Sequence, residues 1–127
     1  MATTRRRGKA SGWPKRGEIY LTALDPTIGH EIRKTRPALI IQNDILNEHL
    51  ATTTVAAITS TVRFPLSPVH VLLEANQATG LAVPSVAVLN QLRTVDRRRF
   101  VKRLGAVDAD IMRQVDEAII ISLGVAP

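Results

Sequence analysis

The sequence predicts a small, mainly β domain of the α+β kind, a barrel or sandwich closed by one C-terminal helix. Short β-branched runs recur at close intervals, Pro- or Gly-bearing breaks separate them, and the long helical period comes last. That spacing disfavours a parallel sheet, which needs helical crossovers between its strands. With 127 residues, 45% hydrophobic and 22% charged, the chain has the size of one globular domain burying roughly two-thirds of its unfolded surface.

Residues 1–16 carry Arg5, Arg6, Arg7, Lys9, Lys15 and Arg16 and no acid, so the entire net charge of +6 sits there. They show no apolar period, so a disordered basic tail is expected before a single domain over residues 17–127. Such an arm attracts any polyanion without conferring specificity, and it reads equally well as a solubilising leader. No apolar stretch follows it, and none approaches about 18 residues, so neither export nor membrane spanning is expected. The absence of cysteine excludes a disulfide scaffold, a cysteine nucleophile and thiolate metal sites, and it fits a reducing cytoplasm.

Ile19, Leu21 and Ala23 alternate with Glu18, Tyr20 and Thr22, the period of a half-buried strand ended by Asp25-Pro26. A long polar loop to Thr35 leads through Arg36-Pro37 into the apolar run Ala38-Leu39-Ile40-Ile41, where Pro37 suits only a strand's first residue. Residues 54–59, 69–73 and 85–89 read as further strands. Asp108 is placed to cap a helix running to Leu123, with Gly124 as its C′ residue. Ile111, Met112, Val115, Ala118, Ile119 and Leu123 form its core stripe. Ile120 and Ile121 point elsewhere, toward a second surface such as a subunit interface or a loop of the same chain.

The chain holds no Gly-x-Ser-x-Gly elbow, Walker loop or dinucleotide fingerprint. His30, His49 and His70 lie too far apart for a histidine metal site, so no metal or cofactor is expected. His70 falls in a strand as a structural residue, and His49 beside Glu48 is solvated in a short helix or turn. The loop before Pro37 places Glu31 among His30, Arg33, Lys34 and Arg36. A guanidinium anchored where a strand begins can grip a phosphate at two points, although arginines at strand ends are ordinarily structural.

Several segments recur in order: Arg16-Gly17-Glu18-Ile19-Tyr20, Asp25-Pro26, Arg36-Pro37 running into Ile41-Gln42-Asn43-Asp44, Ile58-Thr59-Ser60, Gln91-Leu92-Arg93-Thr94-Val95-Asp96 and Arg103-Leu104-Gly105. With the closing helix, this series resembles the MazF/PemK (Kid) family of toxin endoribonucleases from residue 15 to about 125. The resemblance implies an SH3-like β-barrel of the CcdB/PemK type with a C-terminal α-helix, assembled as a homodimer. It also implies a single-stranded RNA substrate and a cognate antitoxin protein whose acidic segment blocks the RNA groove. By motif position Arg36 matches the family's catalytic arginine, Thr59 its catalytic threonine, and Glu31 a loop acid implicated in some members. His30 and Ile32 depart from the usual residues flanking that acid, which bears on base contacts and cleavage sequence.

RNA carries its own nucleophile, so such an enzyme needs to orient the 2′-hydroxyl, stabilise phosphorane charge and protonate the leaving 5′-oxygen. A guanidinium is a poor base at neutral pH, which gives Arg36 an electrostatic role. Thr59 donates to a non-bridging oxygen, while Glu31, His30 and water are candidates for the base. Arg33, Lys34, Ser60, Arg63 and Arg93, with His30, are candidate RNA contacts. Trp13, Tyr20, Phe64 and Phe100 are the only aromatics, so base reading is expected to rest mainly on polar loops. The run Arg97-Arg98-Arg99 with Lys102 and Arg103 either lines the RNA path or is a wet face. Two alternatives on the same fold are a CcdB-like gyrase poison, disfavoured because residues 122–127 contain no tryptophan, and a non-catalytic RNA-binding barrel.

Overall fold

A computed structural model describes residues 12–24 and 35–126. Within them lie β1 (Glu18–Ala23), β2 (Thr35–Ile40), α1 (Asp44–His49), β3 (Thr52–Thr59), β4 (His70–Leu73), β5 (Ser85–Asp96), β6 (Phe100–Ala106) and α2 (Ala109–Leu123). The strands form one sheet in the order β4-β5-β3-β2-β1-β6, and every neighbouring pair is antiparallel. The mainly β fold with a terminal helix is the one the sequence predicts.

Alternation along the strands splits the buried side chains between two faces. Ile19, Leu39, Ala56, Ile58, Ala87 and Leu89 join Val115 and Ala118 of α2 on one face. Leu24, Ala38, Ile40, Val55 and Val95 cluster on the other with Tyr20 and Phe100. Burial on both faces is why residues 38–41 read as a continuous apolar run and not as an alternating one. The Asp108 carboxylate accepts a hydrogen bond from Ile111 N at 2.9 Å, and Gly124 ends α2 at φ 69°, a left-handed conformation that favours glycine.

The edge strands β4 and β6 are joined by the turn that follows β4, and no ladder between them completes a closed barrel. Within that turn Thr79 N donates to Asn76 Oδ1 at 2.9 Å, and Thr79 Oγ1 donates to Glu74 O at 2.7 Å. Ala106 N then donates to Ala78 O at 2.8 Å, fastening the turn to the end of β6. A Cβ on Gly105 would stand 2.1 Å from Ala78 O, and one on Gly80 2.0 Å from Leu104 O. Both obstacles are backbone, so the two segments approach this closely only through glycine.

Four expectations are corrected. Strand β2 begins at Thr35, so Pro37 is its third residue; pairing with β3 starts only at Ala38, which leaves Pro37 on a local edge. Strand β5 runs 12 residues, bent where Ala56 pairs with Leu92 and Ala57 with Val88. Strand β6 was not anticipated, since its exposed Val101, Lys102 and Arg103 give it the charged character of an edge. Leu123 is 59% exposed; one turn beyond Ile119, it lines an open groove with Ile41, Ile45 and Leu92 in place of the core.

The tail also ends earlier than expected. Arg16 N donates to Asp44 Oδ1 at 2.7 Å, its Nε to Ile41 O at 2.8 Å, and its terminal nitrogen to Asp116 Oδ1 at 2.6 Å. Pro14 is buried, and the Lys15 ammonium sits 3.8 Å from the Trp13 ring centre. These contacts make residues 12–16 part of the domain; residues 1–11 lie outside the described residues. Helix α1 is held by Asn47, fully buried. Its Nδ2 donates to Gln42 O at 2.8 Å, and its Oδ1 accepts from Gln42 Nε2 at 2.9 Å and Thr53 Oγ1 at 2.6 Å.

Two outcomes follow from this packing. Gly105→Ala is expected to destabilise the fold by about 3 kcal/mol, at the upper end of overpacking costs, read as a lower midpoint in denaturant; a change under ~1 kcal/mol would show that the turn is free to move away. Tyr20, the chain's single tyrosine, is pushed up to about 12, first by burial and then by the neighbouring Glu18 carboxylate, with Arg103 opposing. The unfolded phenol ionises near pH 10, so Tyr20's contribution is complete below that value and is lost as pH rises toward 12. Tyrosinate absorbance of the folded protein is therefore expected to titrate near 12, and an unshifted midpoint would contradict the Glu18 and burial assignment.

Candidate active site

Arg36 and Thr59 lie on adjacent strands. The β2–β3 ladder pairs Ile40 with Val55, Leu39 with Ala56 and Ala38 with Ala57, and there it ends. Continuing that register two residues sets Arg36 across from Thr59, on the same face as Ala38 and Ala57. Thr22 of β1 pairs with Arg36 and Phe100 of β6 with Thr22, while Thr59 pairs with Val86 of β5. Two paired rows, Phe100–Thr22–Arg36 and Thr59–Val86, therefore meet at the open end of the β2–β3 ladder.

Local structure fixes Arg36 and Thr59 differently. Arg36 is exposed at the start of β2, held by the rungs Ala23–Thr35 and Leu21–Pro37 on either side. Thr59 closes β3, and its Oγ1 accepts a hydrogen bond from Thr61 N at 3.2 Å. A hydroxyl that accepts still carries its own proton, so Thr59 keeps a donor to offer. Thr22, which the sequence reading passed over, is fully buried and donates to Tyr20 O at 2.9 Å; its place in a strand beside the Arg-Pro step was the available signal.

Ser60 is exposed immediately after β3, and Arg63 is exposed in the following segment. Arg93 pairs with Val55, on the Thr59 face but four residues along, about 13 Å at strand spacing. Glu31, His30, Arg33 and Lys34 lie outside the described residues. His70 opens β4 and is half-buried, while His49 is exposed at the end of α1, as expected for both.

The basic run after β5 is committed to the fold. Arg97 donates to Asn47 O, Arg98 pairs with Asp96 at 3.0 Å, Arg99 donates to Ala23 O at 3.2 Å, and Arg103 pairs with Glu18 at 2.8 Å. Arg98 holds the Asp96 carboxyl below its ordinary value through these hydrogen bonds. Tyr20 packs on Phe100 with ring centres 4.7 Å apart and donates to Glu18 Oε1 at 3.2 Å, so it stays protonated near neutral pH and is no base. Among the described residues no three His, Asp or Glu side chains group as metal ligands. An exposed planar donor fork and a hydroxyl donor on the ends of neighbouring strands are suited to bind an anionic tetrahedral group.

Comparison with known proteins gives the family and the fold. The profile of the PemK-like, MazF-like toxins of type II toxin–antitoxin systems matches residues 15–123. The chain is 41% identical over 109 residues to Endoribonuclease EndoA of Bacillus subtilis (strain 168), covering 86% of this chain and 93% of that one. Its fold matches the Mycobacterium tuberculosis toxin MazF-mt6 with a TM-score of 0.73 at 28% identity, over 87% of this chain and 99% of that one. A MazE–MazF crystal structure (Form-II) from Deinococcus radiodurans matches with a TM-score of 0.73 at 25% identity, over 89% and 97% of the two chains. The chain belongs to the PemK-like, MazF-like family of toxins of type II toxin–antitoxin systems.

Proposed function

We propose that this chain is a sequence-specific endoribonuclease toxin that cleaves single-stranded RNA by attack of the substrate's own 2′-hydroxyl. The β2–β3 register, which brings Arg36 opposite Thr59 if continued two residues past Ala38 and Ala57, carries the reading, and the 41% identity to an endoribonuclease supports it. The 2′-oxygen bonds to phosphorus and the bond to the 5′-oxygen breaks. Arg36 binds the charge that builds on the phosphorane, and Thr59 donates to a non-bridging oxygen. The 2′-proton passes to a base, for which Glu31 and His30 of the preceding loop are the side chains proposed, and the leaving 5′-oxygen takes a proton from water. Ser60 and Arg63 flank the reacting phosphate, with Arg33, Lys34, His30 and Arg93 along the strand's path. No metal or cofactor is assigned a step.

The toxin acts in the cytoplasm, where its RNA is, as a homodimer held in check by its antitoxin. Ile121, 56% exposed, and Leu123, 59% exposed, leave the end of α2 apolar in the monomer, which is the surface assigned to the partner subunit. One domain carries the activity, and the basic residues ahead of Gly12 add sequence-independent attraction to phosphates.

Cleavage is expected to persist in chelator, to stop when the 5′-side sugar at the cut carries no 2′-hydroxyl, and to leave 2′,3′-cyclic phosphate and 5′-hydroxyl ends. Arg36→Lys keeps charge but loses the fork, so it is expected to bind RNA yet turn over on the order of 10²-fold more slowly. Thr59→Ala acts in the same direction and Thr59→Ser retains part of the rate. Cutting of the deoxy-substituted strand would contradict attack by the internal nucleophile, and supercoiling by gyrase is expected to be unaffected. Ile121→Glu is expected to shift the dimer toward monomer in sedimentation, since an unpaired charge at an apolar interface costs several kcal/mol; an unchanged dimer would place this surface in solvent.

A further inference from the structure

Strands β3 and β4 both pair antiparallel with β5, so they run parallel to each other with β5 between them. Residues 60–69 connect the end of β3, opposite Val86, to the start of β4, opposite Val88, and must cross β5 over one face or the other. Helix α2 packs on β4 and β5, with Val115 and Ala118 against Val71, Leu73, Ala87 and Leu89. The crossover is therefore left the opposite face, which carries Val86, Val88 and Thr59. Val86 and Val88 are buried on that face, as a chain segment crossing them requires.

Both ends of the crossover are fixed. Thr61 N donates to Thr59 Oγ1 at 3.2 Å, while His70 N donates to Ser67 O at 3.0 Å and Val69 N to Ser67 Oγ at 3.3 Å. Between these anchors Phe64 is 72% exposed, more than any other large hydrophobic residue described. Single exposed apolar side chains are common on protein surfaces. This one is an aromatic ring beside Arg63, five residues from Thr59 and so within about 17 Å of it along the chain, on the face where the reacting phosphate is held.

We propose that Phe64 is the platform on which one base of the RNA stacks, close to the phosphate gripped by Arg36 and Thr59, with Arg63 taking an adjacent backbone phosphate. The inference rests on the ribonuclease reading and adds to it a residue that helps determine where the strand is seated. Every base offers a π-face, so a stacking platform sets register and favours the larger purine rings without hydrogen-bond readout. The ring would do this with little ordering cost, because the segment that carries it is already pinned at both ends.

Single-turnover cleavage of a short oligoribonucleotide bearing the mapped cut site, with each nucleotide in turn made abasic, tests the proposal. Phe64→Ala is expected to raise the protein concentration needed for half-maximal rate roughly 5- to 150-fold, the cost of one lost stack, with the saturating rate largely kept. Phe64→Trp and Phe64→Tyr restore binding. At one position near the cut, the abasic substitution weakens wild type by a similar factor and leaves Phe64→Ala no weaker than before. Unchanged half-saturation in Phe64→Ala, or equal abasic penalties in both proteins at every position, overturns the platform. If Phe64→Ala alters only dimerisation or antitoxin binding, the ring belongs to a protein interface and the proposal fails. Wild type that leaves RNA intact would sink the ribonuclease reading too, whereas cleavage with equal half-saturation in wild type and Phe64→Ala sinks only the platform.

Discussion

The contact between the turn after β4 and the end of β6 is the constraint on which the rest of the structure hangs. Gly80 and Gly105 let two backbones meet where any Cβ would overlap a carbonyl, and the bond from Ala106 N to Ala78 O fastens them. That clasp draws the two edges of one curled sheet together without a ladder. With β6 held, β1 is confined between β6 and β2, and the Tyr20–Phe100 pair fills the space beside it. Thr22 is thereby buried next to Arg36. The position of the guanidinium thus depends on a backbone approach two strands away.

Electrostatics sharpen the same site by subtraction. Arg16, Arg97, Arg98, Arg99 and Arg103 each reach a carboxylate or a carbonyl of the domain. Their charge serves to pin the N-terminal segment, α1 and the ends of β1 and β5. Exposed pairs of this kind contribute little to stability individually. Their donors are engaged within the domain, whereas Arg36 stands exposed at the start of β2.

Much of this was legible in the residues. The strand from Glu18 to Ala23, the Asp108 cap and the Gly124 stop are local signals that the structure follows, although Thr22 is fully buried where the alternation set it outward, because the Tyr20 face of the sheet is also covered. Arg36 and Thr59 stood out through the Arg-Pro and Ile-Thr-Ser steps, but their juxtaposition is a matter of register between strands and has no local signature. Strand β6 was hidden by its charged edge, and the second half of β5 by the irregularity opposite Ala56 and Ala57. Pro37 misled because a proline is tolerated inside a strand wherever that strand has a free side. Arg16 was grouped with the tail because a tethering arginine and a solvated one look alike until the acids they meet, Asp44 and Asp116, are folded around them.

The central claim is that Arg36 and Thr59 act as one unit on a single phosphate. Single-turnover cleavage rates for Arg36→Lys, Thr59→Ala and the double variant, at saturating protein, test it most directly. Groups that stabilise the same charge are strongly non-additive, so the double variant is expected to fall within roughly tenfold of the slower single variant. A double variant slowed by the full product of the two single effects would mean that the two residues serve separate events, and that their opposition across β2 and β3 is incidental to the chemistry.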